Sequence, residues 1–132
     1  MARVLLVDDE MVFRASLAQR LRLRGYAVTE AGDGAEAIGA ARRDADIDVV
    51  IMDCRMPGMK GERALREIKI LRPAVEVIML TAYGADRVPE AAFILRKPCD
   101  LEDLIRAIES ARGIRGHPDG NGSDPDDPLP SR

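Results

Sequence analysis

The chain has 132 residues, a formal charge of -3 from 20 basic and 23 acidic residues, and 46% apolar residues against only 3% aromatics. That length supports one domain of ordinary size, with an aliphatic core built from Val, Ile, Leu, Ala and Met. No basic field marks a nucleic-acid partner, the longest apolar runs fall far short of the ~18 residues of a membrane span, and Cys54 and Cys99 have neither zinc-type spacing nor a disulfide framework.

The N-terminus, Met1-Ala2-Arg3-Val4, enters a strand pattern at once, so no signal peptide is expected and a reduced, cytoplasmic setting follows. Residues 3–7 form a short β-rich run ending in Asp8-Asp9-Glu10. Val12, Phe13, Ser16, Leu17, Arg20, Leu21 and Leu23 follow at helical spacing, and Gly25 is placed to stop that helix at its C′ position. Residues 26–31 give a weaker strand. Asp33 can cap the next helix, Glu36 completes a capping box, and Ala37, Ile38 and Ala41 supply its apolar stripe.

Residues 48–52 are the predicted central strand. This uninterrupted apolar run, as expected for a strand covered on both faces, ends abruptly in Asp53. The loop through Pro57 and Gly58 cannot continue it. Residues 61–71 repeat the helix pattern through Leu65, Ile68 and Leu71 until Pro73. Residues 75–80 form a fourth strand, closing on Thr81-Ala82-Tyr83-Gly84. Residues 85–92 contain Pro89 and show no amphipathic stripe, so one helical turn at most is expected there. Residues 93–96 are a fifth strand, followed by Lys97-Pro98. Asp100 caps a last helix that buries Leu101, Leu104, Ile105 and Ile108, with Cys99 and Leu104 placed as a staple.

From Gly113 onward Gly, Pro, Asp, Ser and Asn dominate, and periodicity is lost. The expected organisation is a folded domain over residues 1–112 and a disordered tail over 113–132. The only histidine, His117, falls in that tail, which excludes a catalytic histidine within the folded domain.

Strands alternating with helices predict a doubly wound α/β domain with a five-stranded parallel sheet. The carboxyl ends of four strands then carry Asp8-Asp9, Asp53, Thr81 and Lys97 along one edge, where ligands bind in such sheets. Three carboxylates without histidine or thiol are hard oxygen ligands suited to Mg²⁺. Without a cation their mutual repulsion opposes full ionisation. Mg²⁺ accepts phosphate oxygens, while a Lys ammonium and a Thr hydroxyl can hold the others. One carboxylate can then be the nucleophile that forms an acyl phosphate.

Val7-Asp8-Asp9-Glu10, the stretch from Asp53-Cys54-Arg55-Met56-Pro57-Gly58 to Gly61, Thr81-Ala82-Tyr83-Gly84 and Lys97-Pro98 occur in the order seen in one family. Over about residues 3–112 the chain resembles the receiver domains of two-component response regulators, which are flavodoxin-like. The resemblance implies that Asp53 accepts a phosphoryl group from a sensor histidine kinase or a histidine phosphotransfer protein. It implies that Asp9, Asp53 and the Arg55 carbonyl bind Mg²⁺, with Asp8 acting through water. Thr81 and Lys97 would contact the phosphoryl group, Thr81 as the switch, and the Lys97-Pro98 bond would be cis. Arg55 and Tyr83 would flank the group, Tyr83 shielding it from water.

The match departs from the family's spacing in one place. The interval from Thr81 to Lys97 is about six residues short, which predicts a shortened or missing fourth helix. Segment 84–92 is then expected to be a mobile loop, and signalling to use a rearranged surface. The family's aromatic switch position is occupied by Ile94, with Phe93 one residue earlier; a one-residue offset reverses the face in a strand, so Phe93 reads as core.

Arg14, Arg20, Arg22 and Arg24 read as a solvated helix face, or as kinase-docking charges in keeping with the family. No effector segment follows residue 112, so neither direct nucleic-acid binding nor membrane contact is expected, and the downstream partner is an unidentified protein. Two alternatives stand beside the phospho-switch. A phosphorylation-independent pseudo-receiver would use the fold only as a binding surface. A Mg²⁺-dependent phosphatase of haloacid-dehalogenase type needs Asp-x-Asp after the first strand, where this chain has Asp8-x-Glu10.

Overall fold

The computed structural model describes residues 2–82 and 88–116. The elements in chain order are β1 (Arg3–Val7), α1 (Met11–Leu23), β2 (Ala27–Ala31), α2 (Gly34–Arg43), β3 (Val49–Asp53), α3 (Gly61–Leu71), β4 (Glu76–Thr81), β5 (Phe93–Arg96) and α4 (Leu101–Gly116). All strand pairs are parallel, in the order β2-β1-β3-β4-β5. The chain reverses direction across the sheet between β1 and β3, which opens a crevice at their carboxyl ends.

Period-2 alternation sorts the strand side chains between two cores. Leu5, Val7, Val50, Met52, Val77 and Met79 pack with α2 and α3. Val4, Leu6, Val49, Ile51, Ile78 and Leu80 pack on the other face with α1 and α4. Every residue of β3 is buried, as expected for the central strand. Phe93 and Leu95 belong to the α1 and α4 side, whereas Ile94 is 38% exposed. The one-residue offset has therefore turned the aromatic into core, as its parity requires.

The helix ends explain how the chain is punctuated. Gly25 adopts φ +95°, its N–H donates to the Arg22 carbonyl, and the Tyr26 N–H donates to that of Leu21. This paired closure satisfies two carbonyls left over at the end of α1. At α2 the Asp33 carboxylate accepts from the Glu36 N–H at 2.8 Å. The return bond differs from a strict capping box: the Glu36 carboxylate accepts from the Gly32 N–H, one residue before the cap. Cys99 packs against the core cluster that contains Leu104, in keeping with the expected staple.

One boundary differs from expectation, and the shortened region agrees with it. α4 continues to Gly116, so residues 113–116 are helical where the tail was expected to begin. Among the described residues no helix lies between β4 and β5. The expectation of a mobile loop over 84–92 falls in part on residues 84–87, outside the described residues, and the rest of the expected tail, 117–132, lies outside them as well.

Candidate functional site

The sheet register brings the chemistry together. Val7 pairs with Met52 and Asp53 with Leu80, so Asp8 and Asp53 emerge level from adjacent strands. Asp9 follows Asp8 and is exposed, while Asp8 and Asp53 are buried. Among the described residues these three offer carboxylate oxygens that all lie within 4.8 Å of one another. Thr81, the last residue of β4, is 1% exposed, and Lys97 follows β5. The Lys97 N–H donates to the Thr81 carbonyl at 2.7 Å, and the Lys97-Pro98 peptide is cis.

Lys97 knits the cluster. Its Nζ lies 2.8 Å from Asp8 Oδ2, 3.4 Å from Asp53 Oδ2 and 4.0 Å from Glu10 Oε1. Main-chain donors take the other oxygens: the Glu10 N–H meets Asp8 Oδ1 at 2.9 Å, and the Arg55 N–H meets Asp53 Oδ1 at 3.2 Å. Burial raises the Asp53 carboxyl above the ordinary carboxylate range; the Arg55 N–H and Lys97 pull the other way, and the Asp8 charge adds to the rise. Burial acts to lower the Lys97 ammonium, but Asp8 foremost, with Asp53, leaves it raised. The site thus holds a fixed cation beside a carboxylate that retains its basicity.

The loop after β3 is held close beneath Asp53. The Cys54 N–H donates to the Leu80 carbonyl at 2.8 Å, and the Gly61 N–H to the Cys54 carbonyl at 3.2 Å. A Cβ at Gly61 would lie 2.3 Å from the Asp53 carbonyl oxygen, so only glycine starts α3 here. Beside the loop a cavity of about 520 Å³ is lined by Cys54, Arg55, Met56 and Pro57, with Lys60, Glu62 and Val88. Cys54 and Cys99 pack against the cores on opposite faces of the sheet. Tyr83, expected to flank the site, lies outside the described residues.

Sequence reasoning missed the floor of the site. Phe13 reads as a core residue at helical spacing, yet its ring centroid lies 4.5 Å from Lys97 Nζ. Arg14, read as a surface charge, donates to the Asp8 carbonyl at 2.7 Å and to Glu30 at 3.1 Å. Arg22 pairs with Glu30 and Arg24 with Glu102, so three of the four arginines of this region are engaged within the molecule. For Phe13 and Arg14 the available signal was their place about one helical turn beyond Asp8-Asp9.

Known proteins resemble this chain in sequence and fold. The response regulator receiver domain model matches residues 4–109. The chain is 41% identical over 116 residues to the transcriptional regulatory protein PdtaR of Mycobacterium tuberculosis, covering 83% of this chain and 56% of that protein. A receiver domain structure from Clostridium thermocellum superposes with a TM-score of 0.79 at 34% identity, covering 84% of this chain and 94% of that one. The response regulator TrrA from Thermotoga maritima, solved in complex with Mg²⁺-BeF, does so with a TM-score of 0.77 at 30% identity, covering 84% and 99%. The chain spans between 26% and 56% of the length of the first curated relatives it matches. It is a flavodoxin-like fold, with four helices among the described residues, and it belongs to the family of response regulator receiver domains, the phospho-accepting modules of two-component signalling.

Proposed function

We propose that Asp53 is the phosphoryl acceptor of this domain. The observation that carries the reading is the Lys97 ammonium bridging Asp8 and Asp53, within a cluster whose three carboxylates approach to 4.8 Å. An Asp53 oxygen attacks the phosphorus of a phosphohistidine. The O–P bond of an acyl phosphate forms as the N–P bond breaks, and the histidine nitrogen leaves with the electron pair and takes up a proton.

The donor set of Asp8, Asp9 and Asp53 fits Mg²⁺, being hard oxygens only; the Arg55 carbonyl would complete it. When bound, Mg²⁺ neutralises charge developing on the phosphoryl oxygens. Asp9 and Asp53 would hold the ion, with Asp8 supporting it while anchoring Lys97 at 2.8 Å. Lys97 and the Thr81 hydroxyl hold the remaining phosphoryl oxygens, and Thr81 is the element that shifts on phosphorylation. Arg55 and Lys60 beside the open cavity favour the approach of an anionic donor.

The domain catalyses only its own phosphorylation and dephosphorylation, and turns over no metabolite. Its donor is a sensor histidine kinase or a histidine phosphotransfer protein in the cytoplasm, and its output is a conformational change read by a protein partner. The balanced charge and the internally paired arginines of α1 and its cap favour neither nucleic-acid nor membrane contact by this domain.

Intact-mass analysis with acetyl phosphate and Mg²⁺ tests the assignment. A labile phosphoryl adduct that requires Mg²⁺ and disappears in Asp53→Ala is expected. An adduct that survives in Asp53→Ala would place the acceptor elsewhere.

A further inference from the structure

We infer that Phe13 is a positioning residue, whose ring backs the Lys97 ammonium and keeps it aimed at Asp8 and Asp53. The inference rests on Lys97 being the cation that meets the phosphoryl group. Lys97 Nζ lies 4.5 Å from the Phe13 centroid, inside the range where an aromatic face attracts a cation. Its other near neighbours are the carboxylates of Asp8, Asp53 and Glu10. The Lys97 side chain is only 15% exposed, so water competes weakly for the ammonium.

The seat of the ring is itself fixed. Phe13 is the third residue of α1 and packs against the α1 and α4 core. The adjacent Arg14 ties that first turn to the Asp8 carbonyl and to Glu30 on β2. The ring therefore stands at a set distance from the end of β1, from which Asp8 emerges.

An aromatic face differs from a fourth carboxylate in a useful way. It attracts the ammonium without offering a lone pair, so it neither takes the proton nor competes as a hydrogen-bond acceptor. When Asp53 becomes an acyl phosphate, the partner of Lys97 on that side changes from a carboxylate oxygen to a phosphoryl oxygen. The contact with Phe13 need not change, and holds the ammonium in place through the exchange. An aliphatic residue would fill the same volume without that attraction.

The test replaces Phe13 by mono-, di- and trifluorinated phenylalanine, which withdraw charge from the ring face at nearly constant volume, and by leucine. In the Mg²⁺-loaded full chain, two quantities are read: the phosphorylation rate with acetyl phosphate, and the ¹³C order parameter of Lys97 Cε. Both should fall stepwise with fluorination, the rate by about 3- to 10-fold in all, with Phe13→Leu lowest and Mg²⁺ affinity unchanged. Flat rates and flat order across the series, or a leucine variant equal to the parent, would overturn the inference and leave Phe13 as packing alone. Absence of any adduct in the parent would instead refute the acceptor assignment, and the Lys97 order series would still decide the role of Phe13.

Discussion

At the scale of single residues, the site depends on how closely the backbone approaches itself beneath Asp53. A methyl group at Gly61 would fall 2.3 Å from the Asp53 carbonyl oxygen and 3.0 Å from Met79 Cε, so the β3–α3 loop must yield. Gly61→Ala should therefore lose about 1–3 kcal/mol of stability, as overpacked sites do. It should also slow phosphorylation, because the displaced backbone carries Asp53, the proposed acceptor. A urea titration that leaves the midpoint in place would show that the loop accommodates the methyl group. The same scale shows which parts of the site were legible. Asp8, Asp9, Asp53, Thr81 and Lys97 were readable because each lies at or just beyond the carboxyl end of a strand run whose core is apolar. Phe13 was not readable, because an aromatic at helical spacing is indistinguishable from core until a cation remote in sequence is placed over it.

At the scale of elements, local signals succeeded where one short stretch decides the outcome. Gly25 closes α1 and Asp33 opens α2 because each acts through neighbours within a few residues. The end of α4 was harder: helix propagation costs little once the core face of Leu104, Ala107, Ile108 and Ala111 is seated, so the chain continues to Gly116 through residues of weak propensity. The end of α2 was illegible for a different reason. Its last carbonyls are met from outside, by Arg72 at the C-cap of α3, whose Nε donates to Ala41 O at 3.0 Å and Nη2 to Arg42 O at 2.9 Å. Arg72 thus places a cation at the negative end of α2 and ties two helices together on one face of the sheet. Arg72→Ala should cost about 1–2 kcal/mol. Arg63→Ala, which loses only an exposed pair with Glu67 on the same helix, should stay within about 0.5 kcal/mol. Equal losses in the two variants by thermal denaturation would remove the case for Arg72 as an external cap.

For the whole molecule, the charges gathered at the sheet edge couple stability to pH and to the cation. The Asp53 carboxyl is raised, by burial first, so the folded protein holds that proton more tightly than the unfolded chain does. Stability of the metal-free domain should therefore fall as pH rises from the ordinary carboxylate value, about 3.9, through the higher folded value. Lys97 works in the other direction of the scale: its raised ammonium supports the fold at all lower pH, and that support is lost only as pH climbs through its folded value. Between these limits an ionised Asp53 is a strain on the metal-free fold that Asp8 aggravates and Lys97 only partly relieves. Asp53→Asn should consequently raise the metal-free melting temperature at pH 7 and flatten its pH dependence above the ordinary carboxylate value, since Asp8 keeps its closer contact with Lys97 at 2.8 Å. Mg²⁺ selects the ionised set, so it should raise the parent's melting temperature at pH 7.5, have little effect at pH 4, and act weakly on Asp53→Asn. Calorimetry across this range decides the matter. A metal-free Asp53→Asn that melts below the parent at pH 7 would mean that the Lys97 contact outweighs the burial of the carboxylate. The acceptor would then be held by its ion pair instead of standing poised for a cation and a phosphoryl group.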